Sequence, residues 1–224
     1  MQVLISVEGQ TEEAFIKNCL APYLIQFGIY MTPVVVSTKV VLSGLKTVGG
    51  LSSGNMVKFL GEIRKMLHSI TPGGVVTSFI DFYAVPNNFP GFNLLTAQMS
   101  SMDKVKALET SLHEHYNFSS SFIPYIQLHE FEALLFSHSR GFESYFDPAK
   151  GNIDALLNII SEFDNPELIN SAKATSPSHR ILQHYPRYKK VLLGNMIILE
   201  IGIETVLAKC PRFRNWVEII ISKR

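Results

Sequence analysis

Hydrophobic runs of two kinds alternate along the first two-thirds of this chain. Short β-prone runs at residues 2–7 (QVLISV), 33–37 (PVVVS), 75–80 (VVTSFI) and 122–127 (FIPYIQ) predict four strands. Between them, apolar positions recur with a helical period. Phe15, Cys19, Leu20, Tyr23, Leu24 and Phe27 make one stripe, Val57, Leu60, Ile63, Met66 and Leu67 a second, and residues 101–116 read as a third helix. Thr11 is placed to cap the first helix, with Glu12 and Glu13 in the first turn, where the helix dipole favours anions. Pro22 predicts a kink or break in that helix, and Pro124 argues against a central ladder position for the fourth strand. Residues 38–54 and 83–99 read as long loops, and His129 to Phe136 as the start of a further helix.

The order strand, helix, strand, helix, strand, helix, strand implies an α/β fold with an open, mainly parallel four-stranded sheet flanked by helices. Beyond about residue 150 the pattern is helical, with breaks at Pro148, Pro166, Pro177, Pro186 and Pro211. The expected organisation is an α/β core over residues 1–145 and a helical C-terminal extension, 146–224, packed on it.

Composition narrows the function classes. Of 224 residues, 46% are hydrophobic and 17% charged, and the formal net charge is +1. Bulk charge therefore does not point to nucleic acid, and any such contact must come from local patches. The two cysteines, Cys19 and Cys210, have no zinc-ligand spacing and read as reduced thiols of a cytoplasmic protein. The N-terminus reaches a carboxylate by Glu8, unlike a signal peptide, and no apolar run approaches the roughly 20 residues of a membrane helix, so no membrane partner is expected.

The chemistry lies in the carboxylates. Glu8 follows the first predicted strand, with Glu12 one helical turn on. Asp81 ends the third strand, and Glu130 and Glu132 follow the fourth. Ligands of open parallel sheets bind at the carboxyl ends of the strands, so these five side chains are expected on one edge. Gathered there, they would repel one another without a cation, and hard oxygen donors select Mg²⁺ or Mn²⁺. Singly, each has a plainer reading as a first-turn helix charge or a turn former; the shared strand-end position is what unites them. His129 beside Glu130 opens like a zinc-protease HExxH, but Ala133 occupies the second histidine position. The glycine-rich segment SGLKTVGGLSSG has the wrong spacing for a phosphate-binding loop, and the chain has no GxxxxGK[ST]. A late basic cluster, His179, Arg180, His184, Arg187, Lys189 and Lys190 with Tyr185 and Tyr188 between, suits a nucleic-acid strand as well as it suits a solvated helix end. Tyr83 and Phe89 are placed to stack a base, or to pack a long loop; Trp216 reads as a core anchor of the last helix.

At VEGQTEEAF the sequence resembles a bacterial domain-of-unknown-function family with a TOPRIM-like fold, related to the overcoming-lysogenization-defect nucleases. The resemblance continues through TSFIDFYAVPNNFPG, FIPYIQLHEFEALLFS, SPSHRILQHYPRYKK and IGIETVLAKCPRFRNW, nearly the whole chain. It implies that Glu8 is the TOPRIM glutamate, acting in acid–base chemistry or as a metal ligand, and that Asp81 is the first aspartate of D-x-D. The second is replaced by Tyr83. The nuclease resemblance also implies a Glu-x-x-x-Glu, matched by Glu8 and Glu12, and an acidic pair like Glu130 and Glu132, which stands to compensate for Tyr83. Those nucleases use a downstream lysine, for which Arg180, Lys189 and Lys190 are the candidates.

The expectation is thus a Mg²⁺- or Mn²⁺-dependent nuclease acting on DNA or RNA. Glu8, Asp81 and His129 are its catalytic candidates, His129 for proton transfer or phosphate binding. Glu8, Glu12, Asp81, Glu130 and Glu132 are the metal candidates, and Arg180, Arg187, Lys189, Lys190 and Tyr83 the nucleic-acid contacts. The resemblance further implies a separately encoded SMC- or ABC-like ATPase partner in phage defence; self-association as a homodimer is compatible with it. The competing expectation is a non-catalytic binding or regulatory subunit of such an ATPase complex.

Overall fold

The computed structural model describes residues 1–36, 51–170 and 175–224. One open sheet runs through it, with every pairing parallel. β1 (Gln2–Val7) lies between β2 (Tyr30–Val35) and β3 (Val75–Asp81), and the outer edge of β3 carries two short segments end to end, β4 (Phe122–Ile123) and β5 (Ile126–Gln127). The mainly parallel α/β sheet expected from the pattern is present, but its fourth strand is divided. Pro124 has no N–H to give a ladder. Across the gap, the Ser78 hydroxyl accepts the Tyr125 N–H at 3.0 Å and donates to the Tyr125 carbonyl at 3.0 Å, so a side chain replaces the missing rungs.

Alternation along the strands separates two cores. Val3, Ile5, Val7 and Phe79 face one hydrophobic cluster; Leu4, Val76 and Ile80 face the other. α3 (Met56–Ser69) and α4 (Ser101–His115) cover the second face through Phe59, Ile63, Met66, Val105, Leu108 and Leu112. The first face is covered by α1 (Gln10–Phe15) and α2 (Ala21–Ile25), joined by a π-helical turn at Ile16–Leu20. Pro22, the expected break, lies at the start of α2 just after the widened turn, in which the Ala21 N–H bonds the Ile16 carbonyl. The helix begins earlier than expected. Gly9, not Thr11, is the N-cap, and Thr11 is buried within the first turn.

Helices dominate the remainder. α5 (Arg140–Tyr145), α6 (Ile153–Glu162), α7 (Pro177–His184), α8 (Asn195–Ile201), α9 (Ile203–Lys209) and α10 (Pro211–Ser222) follow one another. Phe213, Trp216, Val217 and Ile220 of α10 share one continuous core with β1 and α1. Trp216 is buried, stacks on Tyr125 at 4.5 Å and donates its indole N–H to the Thr77 hydroxyl at 2.9 Å. Gly141 permits close contact of α5 with α8, because a Cβ there would fall 2.7 Å from Ile197 Cγ2. The helix expected from His129 is a 3₁₀ segment, Phe131–Ser137, buried throughout. Both cysteines are buried and unpaired. No single helix among the described residues is long and apolar enough to cross a membrane. Most of the glycine-rich loop, residues 37–50, lies outside the described residues.

Candidate functional site

The chain leaves β1 toward β2 on one side and returns as β3 on the other, so the adjacent ends of β1 and β3 form the switch point of the sheet, where a ligand crevice is expected. Glu8 and Asp81 stand there. Glu8 Oε1 accepts the Asp81 backbone N–H at 3.2 Å, and Asp81 Oδ1 accepts the Phe131 N–H at 2.9 Å, which ties the segment after β5 to the end of β3. Glu12 comes from the first turn of α1 and Glu132 from the 3₁₀ segment. All four carboxylates are buried, with at most 8% of each residue exposed.

A cation stands among them. Lys190 Nζ is 3.0 Å from Glu132 Oε2, 3.6 Å from Glu12 Oε1 and 3.6 Å from Asp81 Oδ2. Among Arg180, Lys189 and Lys190, the last is the residue brought into the cluster. It begins a second π-helical turn, Lys190–Gly194, packed against α1. Tyr188 places its hydroxyl 3.5 Å from Glu132 Oε1, and Gly194 makes room for it, since a Cβ there would lie 2.7 Å from that oxygen.

The electrostatics follow from burying four acids with one ammonium. Burial first, then repulsion from Glu12, pushes Glu8 up to about 8, against the pull of Lys190 and of the Asp81 and Leu51 amides. Burial also raises Asp81 well above the usual carboxylate range; Lys190 opposes this, while Glu8, Glu12 and Glu132 add to it. Glu132 is raised by burial in spite of Lys190. Burial works against the charge on Lys190, but Asp81, Glu132 and Glu12 together outweigh it and hold the ammonium firmly protonated.

Other expected site residues are placed differently. Glu130 leaves the group: its Oε1 accepts the Ser178 N–H at 2.6 Å and its Oε2 the Ser178 hydroxyl at 3.0 Å, so it serves the N-terminus of α7. Glu130 is in extended backbone and Glu132 is inside the 3₁₀ segment, and the Glu130 charge adds to the rise of Glu132. His129 is buried in the left-handed region (φ 69°), and desolvation lowers it to about 4. It is therefore a neutral imidazole near pH 7, suited to proton transfer and not to holding phosphate by charge. Tyr83 lies on the rim, half exposed, with its ring 5.4 Å from that of His129. Phe89 is buried against Phe59 and is a core residue. Tyr185 and Tyr188 are also buried, Tyr185 stacked on Phe146 at 3.9 Å, so neither aromatic of the basic cluster is free to stack a base. Arg187 and Lys189 are exposed, and Arg180 donates to the Thr175 carbonyl at 2.8 Å.

Whether a hard divalent cation suits this site can be judged from the donors. The oxygens are of the right kind, and four carboxyl groups gather around a single ammonium. Glu132 Oε2 is buried and faces the Lys190 ammonium at 3.0 Å. The donor chemistry fits Mg²⁺ or Mn²⁺. The present spacing is that of an ammonium pocket, and no group of three His, Cys, Asp or Glu among the described residues stands at metal-binding spacing.

The family model of a domain of unknown function (DUF4276) matches residues 7–221, and the chain belongs to that family. No curated protein and no solved structure matches it.

Proposed function

We propose that this DUF4276 protein is a TOPRIM-like, Mg²⁺- or Mn²⁺-dependent nuclease of DNA or RNA. The observation that carries the reading is the convergence of Glu8, Glu12, Asp81 and Glu132 at the switch point of a parallel sheet with one ammonium among them. These four would hold the divalent ion, and Glu130, committed to α7, is left out of the set. When bound, such an ion supplies an activated water and stabilises charge on a phosphoryl group. The chain's own part is to orient and to move protons. Asp81 is fixed by the Phe131 amide and Glu8 by the Asp81 amide, so neither needs to reorganise during reaction. Neutral His129, buried beside Tyr83, can accept a proton. Lys190, Lys189 and Arg187 offer positive charge for phosphates, and Tyr83 an exposed ring for a base.

The resemblance that supports the nuclease also favours a separately encoded ATPase as partner, with the nuclease as effector of phage defence. A second reading, a non-catalytic regulatory subunit of that complex, draws on Tyr83 at the position of the second aspartate.

The test is cleavage of plasmid, single-stranded DNA and tRNA with Mg²⁺ or Mn²⁺, with and without an ATPase encoded beside it, by wild type and Glu8→Gln. The nuclease reading expects cutting of at least one substrate, lost in Glu8→Gln. Failure to cut any substrate, or equal cutting by the variant, leaves the regulatory reading in its place.

A further inference from the structure

We infer that Lys190 is a built-in occupant of the carboxylate cluster, an intramolecular cation that a divalent ion must displace. The inference rests on the reading of this cluster as a divalent-ion site and specifies how that site is kept closed.

Three carboxylates from three separate elements aim at one Nζ, at 3.0, 3.6 and 3.6 Å. Oxygens around Mg²⁺ stand much closer to the ion, at about 2.0–2.1 Å. The same oxygens cannot close on an ion while an ammonium sits between them, and two cations in one small buried pocket repel strongly.

The lysine is also built to leave. Its side chain is 39% exposed, whereas those of Glu12, Asp81 and Glu132 are 5, 9 and 1% exposed, so it enters the cluster from the surface. Its stem has four flexible carbons. Its backbone stands where extended Lys189 (φ −117°, ψ 105°) meets the π-helical turn. Val191 and Leu192, the next two residues, are exposed, so no packing from outside pins this end of the turn. No hydrogen bond or ion pair outside the cluster holds Nζ among the described residues.

The experiment uses the full chain and Mn²⁺. Calorimetric titration of wild type, Lys190→Met, Lys190→Arg and Glu132→Gln is combined with acetylation of wild-type lysines, read residue by residue by mass spectrometry, with and without saturating Mn²⁺. An occupant in place nine-tenths of the time or more weakens apparent ion affinity about tenfold or more, so Lys190→Met should tighten Mn²⁺ binding by at least that factor. Lys190→Arg should stay near wild type, and Glu132→Gln should lose the binding, which locates it. Acetylation of Lys190 should be slow without Mn²⁺ and rise about tenfold with it, as the same occupancy predicts. Binding by Lys190→Met alone also supports displacement.

Mn²⁺ binding with unchanged Lys190 acetylation overturns displacement and leaves the divalent-ion site standing, since the lysine then stays beside the ion. Absence of Mn²⁺ binding in both wild type and Lys190→Met overturns both. Should Lys190→Met fail to fold, the acetylation of wild type decides.

Discussion

Two buried ionic clusters border the C-terminal half of β3, and they are built on opposite principles. In the first, at the far edge of β5, Arg212 donates to the Ile126 carbonyl at 2.5 Å, pairs with Glu109 and lies 4.6 Å from the centre of the Tyr125 ring. Glu109 also accepts the Ile126 N–H at 2.7 Å, and Glu167 accepts the N–H groups of Arg212 and Phe213 at 2.8 and 3.1 Å, capping α10. Each carboxylate there has a strong partner of its own. In the second, the carboxylates of Glu12, Asp81 and Glu132 share one ammonium, with Glu8 close by. Burial raises the carboxylates of both clusters, but in the first each is held by the guanidinium or by backbone amides, whereas in the second three compete for one ammonium. The first cluster is completed by groups of the chain itself; in the second, burial raises Glu8, Asp81 and Glu132, so proton uptake relieves part of the repulsion.

Breaking the first cluster should have the largest effect. Arg212→Met strands Glu109 and the Ile126 carbonyl, and should destabilise by about 3–5 kcal/mol in urea denaturation, with no recovery on adding Mn²⁺. Lys190→Met should cost less, because the surplus carboxylates can take up protons, and Mn²⁺ should restore the loss. Rescue of the arginine variant by Mn²⁺ would erase the contrast.

Proton linkage gives a smaller effect. Glu8 is held at about 8 in the folded chain against an ordinary 4.5, so between these values the folded chain keeps a proton that the unfolded chain has released. Stability of the metal-free protein should therefore fall as pH rises through that window and level off above it. Glu8→Gln keeps an acceptor for the Asp81 amide and removes a charge. It should flatten this slope and raise the melting temperature at pH 8 by roughly 2–4 °C, about 1 kcal/mol. A melting temperature that climbs from pH 6 to pH 8 would contradict the assignment.

The smallest change in stability is expected at the rim. Tyr83 is half exposed, so Tyr83→Asp should alter stability by no more than about 0.5 kcal/mol. It should nevertheless tighten Mn²⁺ binding by restoring a carboxylate two residues after Asp81. Unchanged affinity would mean that the tyrosine position does not face the ion.

The strand ends were legible because hydrophobic runs stop at them, and Glu8 and Asp81 stand at those stops. Pro124 argued against a central place for the fourth strand, which lies at the edge, but did not foretell its division. What stayed illegible depends on contacts between distant segments. Lys190 looks like its neighbours Lys189 and Arg187 in sequence, and only the packing of its π-helical turn on α1 brings it to the carboxylates. Glu130 and Glu132 alternate as a same-side pair would, yet the backbone passes from extended to 3₁₀ between them. Tyr185 and Tyr188 sit among cations and are nonetheless buried, since neighbouring charge says nothing about which side a ring faces. Glu109, Arg212 and Glu167 carried no motif at all.

Arg212 and Glu109 also cover part of one edge of the sheet. β5 lies on the open side of β3, and Ile126 turns its N–H and carbonyl away from the sheet, where they would template another strand. Glu109 takes the one and Arg212 the other. The ion pair thus works as a guard against edge-to-edge assembly, and its loss should appear as concentration-dependent aggregation as well as lowered stability.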